Sequence, residues 1–364
     1  MGKSLAIAAR LFLIVRPTDR QSRAIQDEGL GFHCGRELAI SLQRVFSCFS
    51  LSLSLTSGAG LCIVVCRAMS KRILLFGASG RTGQVLQAAA EQAGYEVLAP
   101  AHAGCPLENA EGVSDLVLGC GAQLVVNCAA ISGLEACAAD PLQAHLINAV
   151  APAAMALACR HTGARFVHLS TDYVLDGRRP GLKDESTKCR PISWYGESKR
   201  EGELQVLEAL STAVVARVSW VCGNPAKPSF IESTVERALA GQPLAAVADK
   251  DSLPTDVEDI ARAVLALGEG CYSGVVHVTS SGEPLSWWHC ATLALQVAAE
   301  QGALPAAPPM EQQKLDEVPF FKEPRPRHTA MCNARLTNQL GIPMPTAEET
   351  VRHVVLRYLA ARTR

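Results

Sequence analysis

Tyr195 and Lys199 stand four residues apart in the phrase Ser193-Trp194-Tyr195-Gly196-Glu197-Ser198-Lys199, and on a helix that spacing puts both on one face. A neighbouring ammonium favours a phenolate, so Lys199 can draw the Tyr195 hydroxyl from about 10 toward neutrality, where it exchanges a proton with a carbonyl or an alcohol. That is the chemistry of carbonyl reduction. By itself, Tyr-x-x-x-Lys also describes a solvated pair on an ordinary helix, so the surrounding elements must decide.

Upstream, an apolar run from Arg72 to Phe76 enters the turn Gly77-Ala78-Ser79-Gly80-Arg81-Thr82-Gly83, and a helical pattern follows from Gln84 to Ala93. Gly77 permits the tight turn, Gly80 lets backbone approach a pyrophosphate, and Gly83 allows close helix–strand packing. The helix N-terminus adds amide donors and a positive dipole. The spacing is Gly-x-x-Gly-x-x-Gly, similar to the dinucleotide site of the extended short-chain dehydrogenase/reductases.

The unit then repeats. Tyr95 to Ala99, Gln123 to Asn127 and Arg165 to Ser170 read as buried strands, with a long Ala-rich helix from Pro141 to His161. Strands alternating with helices predict an α/β fold with a Rossmann-like, doubly wound parallel sheet, whose ligands bind beyond the carboxyl ends of the strands. Asn127-Cys128-Ala129-Ala130 and Ser170-Thr171-Asp172-Tyr173 occupy two such ends. There the Thr171 hydroxyl either donates to a substrate carbonyl or, with Asp172, forms a helix cap or turn.

Five ordered phrases make the chain recognisable: Ser170 to Gly177, Tyr195 to Lys199, Arg217-Val218-Ser219-Trp220-Val221, Pro254 to Ala261, and Arg325-Pro326-Arg327-His328-Thr329. Over about Lys71 to Leu356 the chain resembles the dTDP-4-dehydrorhamnose reductases. The resemblance implies that Tyr195 is the proton donor, that Lys199 binds the nicotinamide ribose and tunes the Tyr, and that Thr171 completes the catalytic triad. It places Gly77, Ser79, Gly80, Arg81, Thr82 and Gly83 with Asn127, Ala129, Ala130, Tyr195 and Lys199 around the cofactor. Asp172 and Trp220, together with Thr171 and Tyr195, fall on the substrate side, and Asn148 matches an Asn of the helix after the third strand. From the residues alone, Ser219 and Trp220 read only as the end of an apolar core strand.

The chain also departs from that pattern. Ser252 stands where Gly is usual and His328 where Asn is usual, and Trp194 is bulkier than its counterparts. Some relatives hold magnesium near a dimer interface through an acidic residue soon after the third glycine, a place taken here by Gln84, Val85 and Leu86. No metal is therefore expected, and a homodimer stays an open expectation. After the second strand, Ala99-Pro100-Ala101-His102 carries no carboxylate to repel a 2′-phosphate. NADPH is the favoured cofactor, with NADH as an alternative. Arg81 is either the phosphate's partner or a solvated residue at the helix start.

A net charge of −1 and the absence of basic, aromatic clusters give no surface suited to nucleic acid, and no membrane is expected to engage the catalytic part. The 14 Cys lack Cys-x-x-Cys spacing and read as small buried hydrophobes in a reducing compartment, so the catalytic part is expected in the cytoplasm. The nine His show no zinc-type grouping.

Three parts are expected: an extension over residues 1–68, a mainly NAD(P)-binding domain over 69–220, and a mainly substrate-binding lobe over 221–364 with pieces returning to the first. The lobe is smaller and discontinuous, with helices at Phe230 to Ala240, Asp256 to Leu267, Ser286 to Gln301 and Ala347 to Ala361, and a strand at Gly274 to Thr279. The extension reads as a marginal membrane helix, as an organellar transit segment, or, preferred, as sequence upstream of a true start at Met69. The function expected is NAD(P)H-dependent reduction of the 4-keto group of a nucleotide-linked 6-deoxy sugar. The alternatives are an NAD-dependent epimerase or dehydratase, and a regulatory subunit resembling the β subunit of methionine adenosyltransferase. Trp220, which matches the reductase pattern, favours the first.

Overall fold

A computed structural model describes residues 71–362, so the readings of the 1–68 extension fall outside the described residues. The first apolar run forms β1 (Lys71–Phe76), unalternating because both of its faces are covered. Ile73 and Leu75 pack against α1 (Arg81–Gln92) and α7 (Val257–Glu269). Leu74 and Phe76 face the opposite layer of α2 (Ala110–Gly119), α4 (Pro141–Thr162) and α5 (Trp194–Ala209).

The remaining strands of the main sheet are β2 (Tyr95–Leu98), β3 (Leu124–Asn127), β4 (Arg165–Thr171), β5 (Val214–Val218) and β10 (Gly274–Val278). Their spatial order is β2-β1-β3-β4-β5-β10, all parallel. The chain runs outward from β1 to β2 and then crosses back to β3 on the other side of β1. That reversal leaves a crevice at the carboxyl ends of β1 and β3, where a doubly wound sheet takes its ligand. The fold class expected from the sequence is the one observed.

Among the described residues, α4 is the one helix long and apolar enough to cross a membrane, but 56% of its apolar 18-residue window is buried inside the protein and it packs on α2 and α5. It is a core helix, interrupted by a π turn at Leu146–Val150. The short α3 (Leu134–Ala139) precedes it.

A third core holds the C-terminal elements α6 (Phe230–Leu239), α8 (Trp287–Glu300) and α9 (Ala347–Arg362). Between them run three two-stranded pairs: β6 (Val221–Cys222) with β9 (Thr255–Asp256), β7 (Ala245–Val247) with β12 (Glu311–Gln313), and β8 (Asp251–Ser252) with β11 (Leu285–Ser286). α7 and β10 return to the main sheet.

Helix α5, which carries Tyr195 and Lys199, is fastened to the sheet by a buried ion pair. Arg217 of β5 donates from Nε and Nη2 to the two carboxylate oxygens of Glu203, each bond at 2.7 Å, and both residues are at most 1% exposed. Ser170 of β4 adds a bond of 2.6 Å and Arg200 one of 2.8 Å. Burial alone would raise the Glu203 carboxyl, but Arg217, Ser170 and Arg200 hold it below the ordinary carboxylate range. A carboxyl depressed in this way stabilises the fold above its unfolded value, and that contribution is lost as pH falls through the folded one.

Arg217→Met leaves the buried Glu203 carboxylate with only Arg200 and Ser170 as partners and is expected to cost about 3 kcal/mol near pH ~7. Part of that loss returns toward pH ~5, because the abandoned carboxyl then takes up a proton. Denaturant melts at both pH values check this, and a variant as stable as the parent at neutral pH would show that the pair does not fasten the helix.

Candidate active site

The glycine turn and the segment after β3 meet. Gly77 has φ +80°, and a Cβ there would lie 2.6 Å from the Ala129 backbone nitrogen, so both the backbone angle and the close approach require glycine. Gly80 caps α1 without a side-chain bond, and the first turn carries no acidic residue. Its amides are left for an anion. Gly77, Ser79, Gly80, Ala129 and Ala130 line a cavity of about 810 Å³ that extends to Ala99-Pro100-Ala101-His102. An elongated cleft with uncapped amides at one end and no carboxylate at the lip fits a dinucleotide, including one with a 2′-phosphate.

Arg81 does not line this cavity. Its guanidinium donates to the carbonyls of Lys227 at 2.8 Å and Pro228 at 3.0 Å, and Asn224 Nδ2 bonds the Arg81 carbonyl at 3.0 Å. In this arrangement the side chain reaches the C-terminal lobe, outside the lining of the cavity. Thr82 and Gly83 belong to the first turn of α1 and support the cavity from behind its lining.

Asn127 is fully buried below the crevice. Its Oδ1 accepts from the Ala129 amide at 2.9 Å, and its Nδ2 bonds His168 Nδ1 at 3.1 Å. Asn148, in the π turn, exchanges two bonds of 2.9 Å with the backbone of Ile131 and donates to Ser198 at 3.0 Å. A Cβ on Gly202 would lie 2.2 Å from the Asn148 carbonyl, so α5 approaches this turn only because residue 202 lacks a side chain.

Ser193 caps α5, its hydroxyl accepting from the Gly196 amide at 3.2 Å, and so places Tyr195 in the first turn. Tyr195 meets Tyr173 edge-on at 5.8 Å and is hydrogen-bonded to Thr171 at the end of β4. Burial pushes its phenol up to about 12, with Asp172 and Cys137 adding to the rise and the Thr171 bond opposing it. Lys199, 2% exposed, points elsewhere: its ammonium donates to the Leu169 carbonyl at 2.7 Å and lies 3.2 Å from His168 Nε2. Burial brings it down to about 8. The tuning of Tyr195 by Lys199 that the spacing suggests is thus not what sets this phenol; burial dominates.

His168 was not singled out by sequence, since a His in an apolar strand reads as core; it is held neutral by burial and by the Lys199 charge. Cys128, beside the crevice, is pushed up to about 12 by burial, which makes it a thiol and not a nucleophile.

On the other side of Tyr195 lies the C-terminal lobe. Trp220 has φ +38°, the one non-glycine positive φ among the described residues, a conformation that costs a bulky residue about 1–3 kcal/mol and that clusters at functional sites. Its ring stacks on Trp287 at 5.8 Å and tilts against Phe230 at 5.8 Å. Asp172, 4% exposed, accepts hydrogen bonds from Thr171 at 3.2 Å, Ser219 at 3.2 Å and Ser252 at 3.3 Å. Among the described residues no cluster of His, Cys, Asp and Glu could hold a metal ion.

This arrangement has close relatives. Residues 71–360 match the family model of the RmlD substrate binding domain. The chain belongs to that family. A similar protein is the dTDP-4-dehydrorhamnose reductase of Mycolicibacterium smegmatis, 30% identical over 81% of this chain and 88% of its own length. Among solved structures, the dTDP-4-dehydrorhamnose reductase of Bacillus anthracis in complex with NADP is 25% identical, with a TM-score of 0.72 over 80% of this chain and 99% of its own. That of Clostridium acetobutylicum is also 25% identical, with a TM-score of 0.73 over 80% of this chain and 100% of its own. Membership in the RmlD family accounts for the glycine turn, the Tyr/Lys helix and the discontinuous lobe together.

Because Arg81 is tied to backbone carbonyls outside the crevice, Arg81→Ala should change NADPH and NADH affinity by the same factor. A loss of about tenfold or more for NADPH alone would place its charge on the 2′-phosphate after all.

Proposed function

We propose that this chain reduces the 4-keto group of a nucleotide-linked 6-deoxy sugar, such as dTDP-4-dehydrorhamnose, with NADPH as reductant and NADH as the weaker alternative, in the cytoplasm. The observation that carries the reading is the placing of Tyr195 beside Thr171 at the carboxyl end of β4, the same end of the sheet at which the crevice lined by the glycine turn opens. The names of the relatives and the NADP bound in the Bacillus anthracis structure support the substrate and the cofactor.

When bound, NADPH supplies the hydride. The chain manages the proton. A phenol pushed up to about 12 keeps its proton at neutral pH and releases it only to a strong base, which the sugar oxygen becomes as the carbonyl is reduced. Thr171, whose own proton goes to the Asp172 carboxylate, holds the Tyr195 hydroxyl in place. Lys199 carries donors of the kind that suit a ribose hydroxyl; in this structure they bond the Leu169 carbonyl and meet His168. Trp220 and Trp287 offer aromatic faces to the sugar nucleotide.

Tyr195→Phe is expected to lower kcat by about a hundredfold or more while leaving NADPH binding nearly intact. The assay follows NADPH consumption with a panel of nucleotide 4-keto-6-deoxy sugars, and near-normal turnover would remove Tyr195 as the acid. Trp220→Ala should raise KM for the sugar nucleotide without changing NADPH affinity; an unaltered KM in a protein about 3–5 kcal/mol less stable would instead make Trp220 a core residue.

A further inference from the structure

Asp172 carries a carboxylate into a dry place. Four hydroxyls from separate segments converge on it. Thr171 donates to Oδ1, Ser219 and Ser252 reach Oδ2, and Thr329 donates to Ser252 at 3.1 Å. Ser219 and Ser252 are themselves 2.6 Å apart. Each hydroxyl has one proton: Thr329 spends its own on Ser252, and Ser252 and Ser219 turn theirs to the carboxylate they share.

The balancing charge is Lys250, itself 2% exposed. Its ammonium donates to the Pro326 carbonyl and lies 5.0 Å from the centre of the Tyr173 ring and 5.9 Å from that of Trp287. The charged groups facing it are Asp172 and Asp251, which favour the ammonium, and Arg325 and Arg327, which oppose it. Asp251 is in turn held by His328 at 2.6 Å and feels Lys183. Facing Asp172 are Lys250 and the neutral phenols Tyr173 and Tyr195.

The geometry points to Lys250 and Ser252 as positioning residues for the reduction: they hold Asp172 as a fixed carboxylate, and Asp172 in turn sets the rotamer of Thr171 beneath the Tyr195 hydroxyl. Thr171 Oγ1 sits between three partners, the Asp172 carboxylate, the Tyr173 amide at 3.2 Å and Tyr195. With Asp172 ionised, the Thr171 proton has an acceptor and its oxygen faces Tyr195. With Asp172 protonated, that acceptor is weakened and the Thr171 rotor is released. Burial raises the Asp172 carboxyl above its ordinary value, and the Lys250 charge is the largest influence drawing it back.

The inference rests on the reductase reading, but one of its tests does not. Removing an opposed charge shifts a carboxyl by about one to three pH units. In Lys250→Met the acid limb of the kcat–pH profile should therefore move up by about that amount, with KM for NADPH unchanged and Lys250→Arg restoring the parent profile. Infrared titration of the carboxyl band, assigned with Asp172→Asn, should show the same shift in protein without substrate. Ser252→Ala, which removes one donor and keeps the Cβ, should move the band in the same direction and lower kcat, so the inference stays testable if Lys250→Met does not fold. Should no keto sugar be reduced, the reductase reading fails while the infrared result still decides the charge state. An Asp172 band that titrates at the same pH in the parent, Lys250→Met and Ser252→Ala would overturn the inference, as would a Ser252→Ala kcat equal to the parent's.

Discussion

The ion pair between Glu203 and Arg217 fixes the helix on which the chemistry depends. Two ions taken out of water attract strongly only if their remaining lone pairs and protons are also met, and here Ser170, Arg200, Cys189 and His277 complete the set. Ser170 is the residue before Thr171, and Glu203 lies one turn beyond Lys199. One buried carboxylate therefore ties the end of β4 to α5 and sets the spacing between the Thr171 hydroxyl and the Tyr195 phenol.

From that line the molecule divides by chemistry. Toward β1 and β3 the site is built from backbone: a glycine in the left-handed region, an uncapped helix end, and amides held by Asn127 and Asn148. Toward the C-terminal lobe it is built from side chains, with stacked indoles and a buried lysine over aromatic rings. Recognition of a dinucleotide needs donors at a constant place and little shape, whereas a sugar nucleotide needs shape, which side chains supply. Arg81 and Asn224 join the two regions at the mouth of the crevice.

The backbone half was legible in the sequence because its constraints are local. Gly77 to Gly83, the strand ends at Asn127 and Thr171, and the spacing of Tyr195 to Lys199 each declare themselves within a few residues, and the parallel sheet follows from the alternation of their flanks. The side-chain half was legible only by resemblance. Nothing near Lys250 in the chain indicates that it will face Asp172, 78 positions away by their numbers, or that His168 will lie under Lys199. Arg81 shows the same limit: its neighbours in sequence leave a phosphate partner and a solvated place both open, while its neighbours in space are the carbonyls of Lys227 and Pro228. The lowered phenol expected of Tyr195 likewise came from the four-residue spacing to Lys199, and spacing carries no information on burial.

The π turn in α4 has a consequence for how that helix is shared. A π turn takes up about one residue more than an α turn, so the apolar pattern of Pro141–His145 resumes one residue late in Ala151–Thr162. The first stretch packs on α5, the second on α2 and β4 as well as α5, and the offset lets a single rod serve both surfaces while turning Asn148 inward between them. Deleting one residue there would restore a regular helix with both flanking stretches facing as they do now, and would remove the widened turn that aims Asn148 at Ile131 and Ser198.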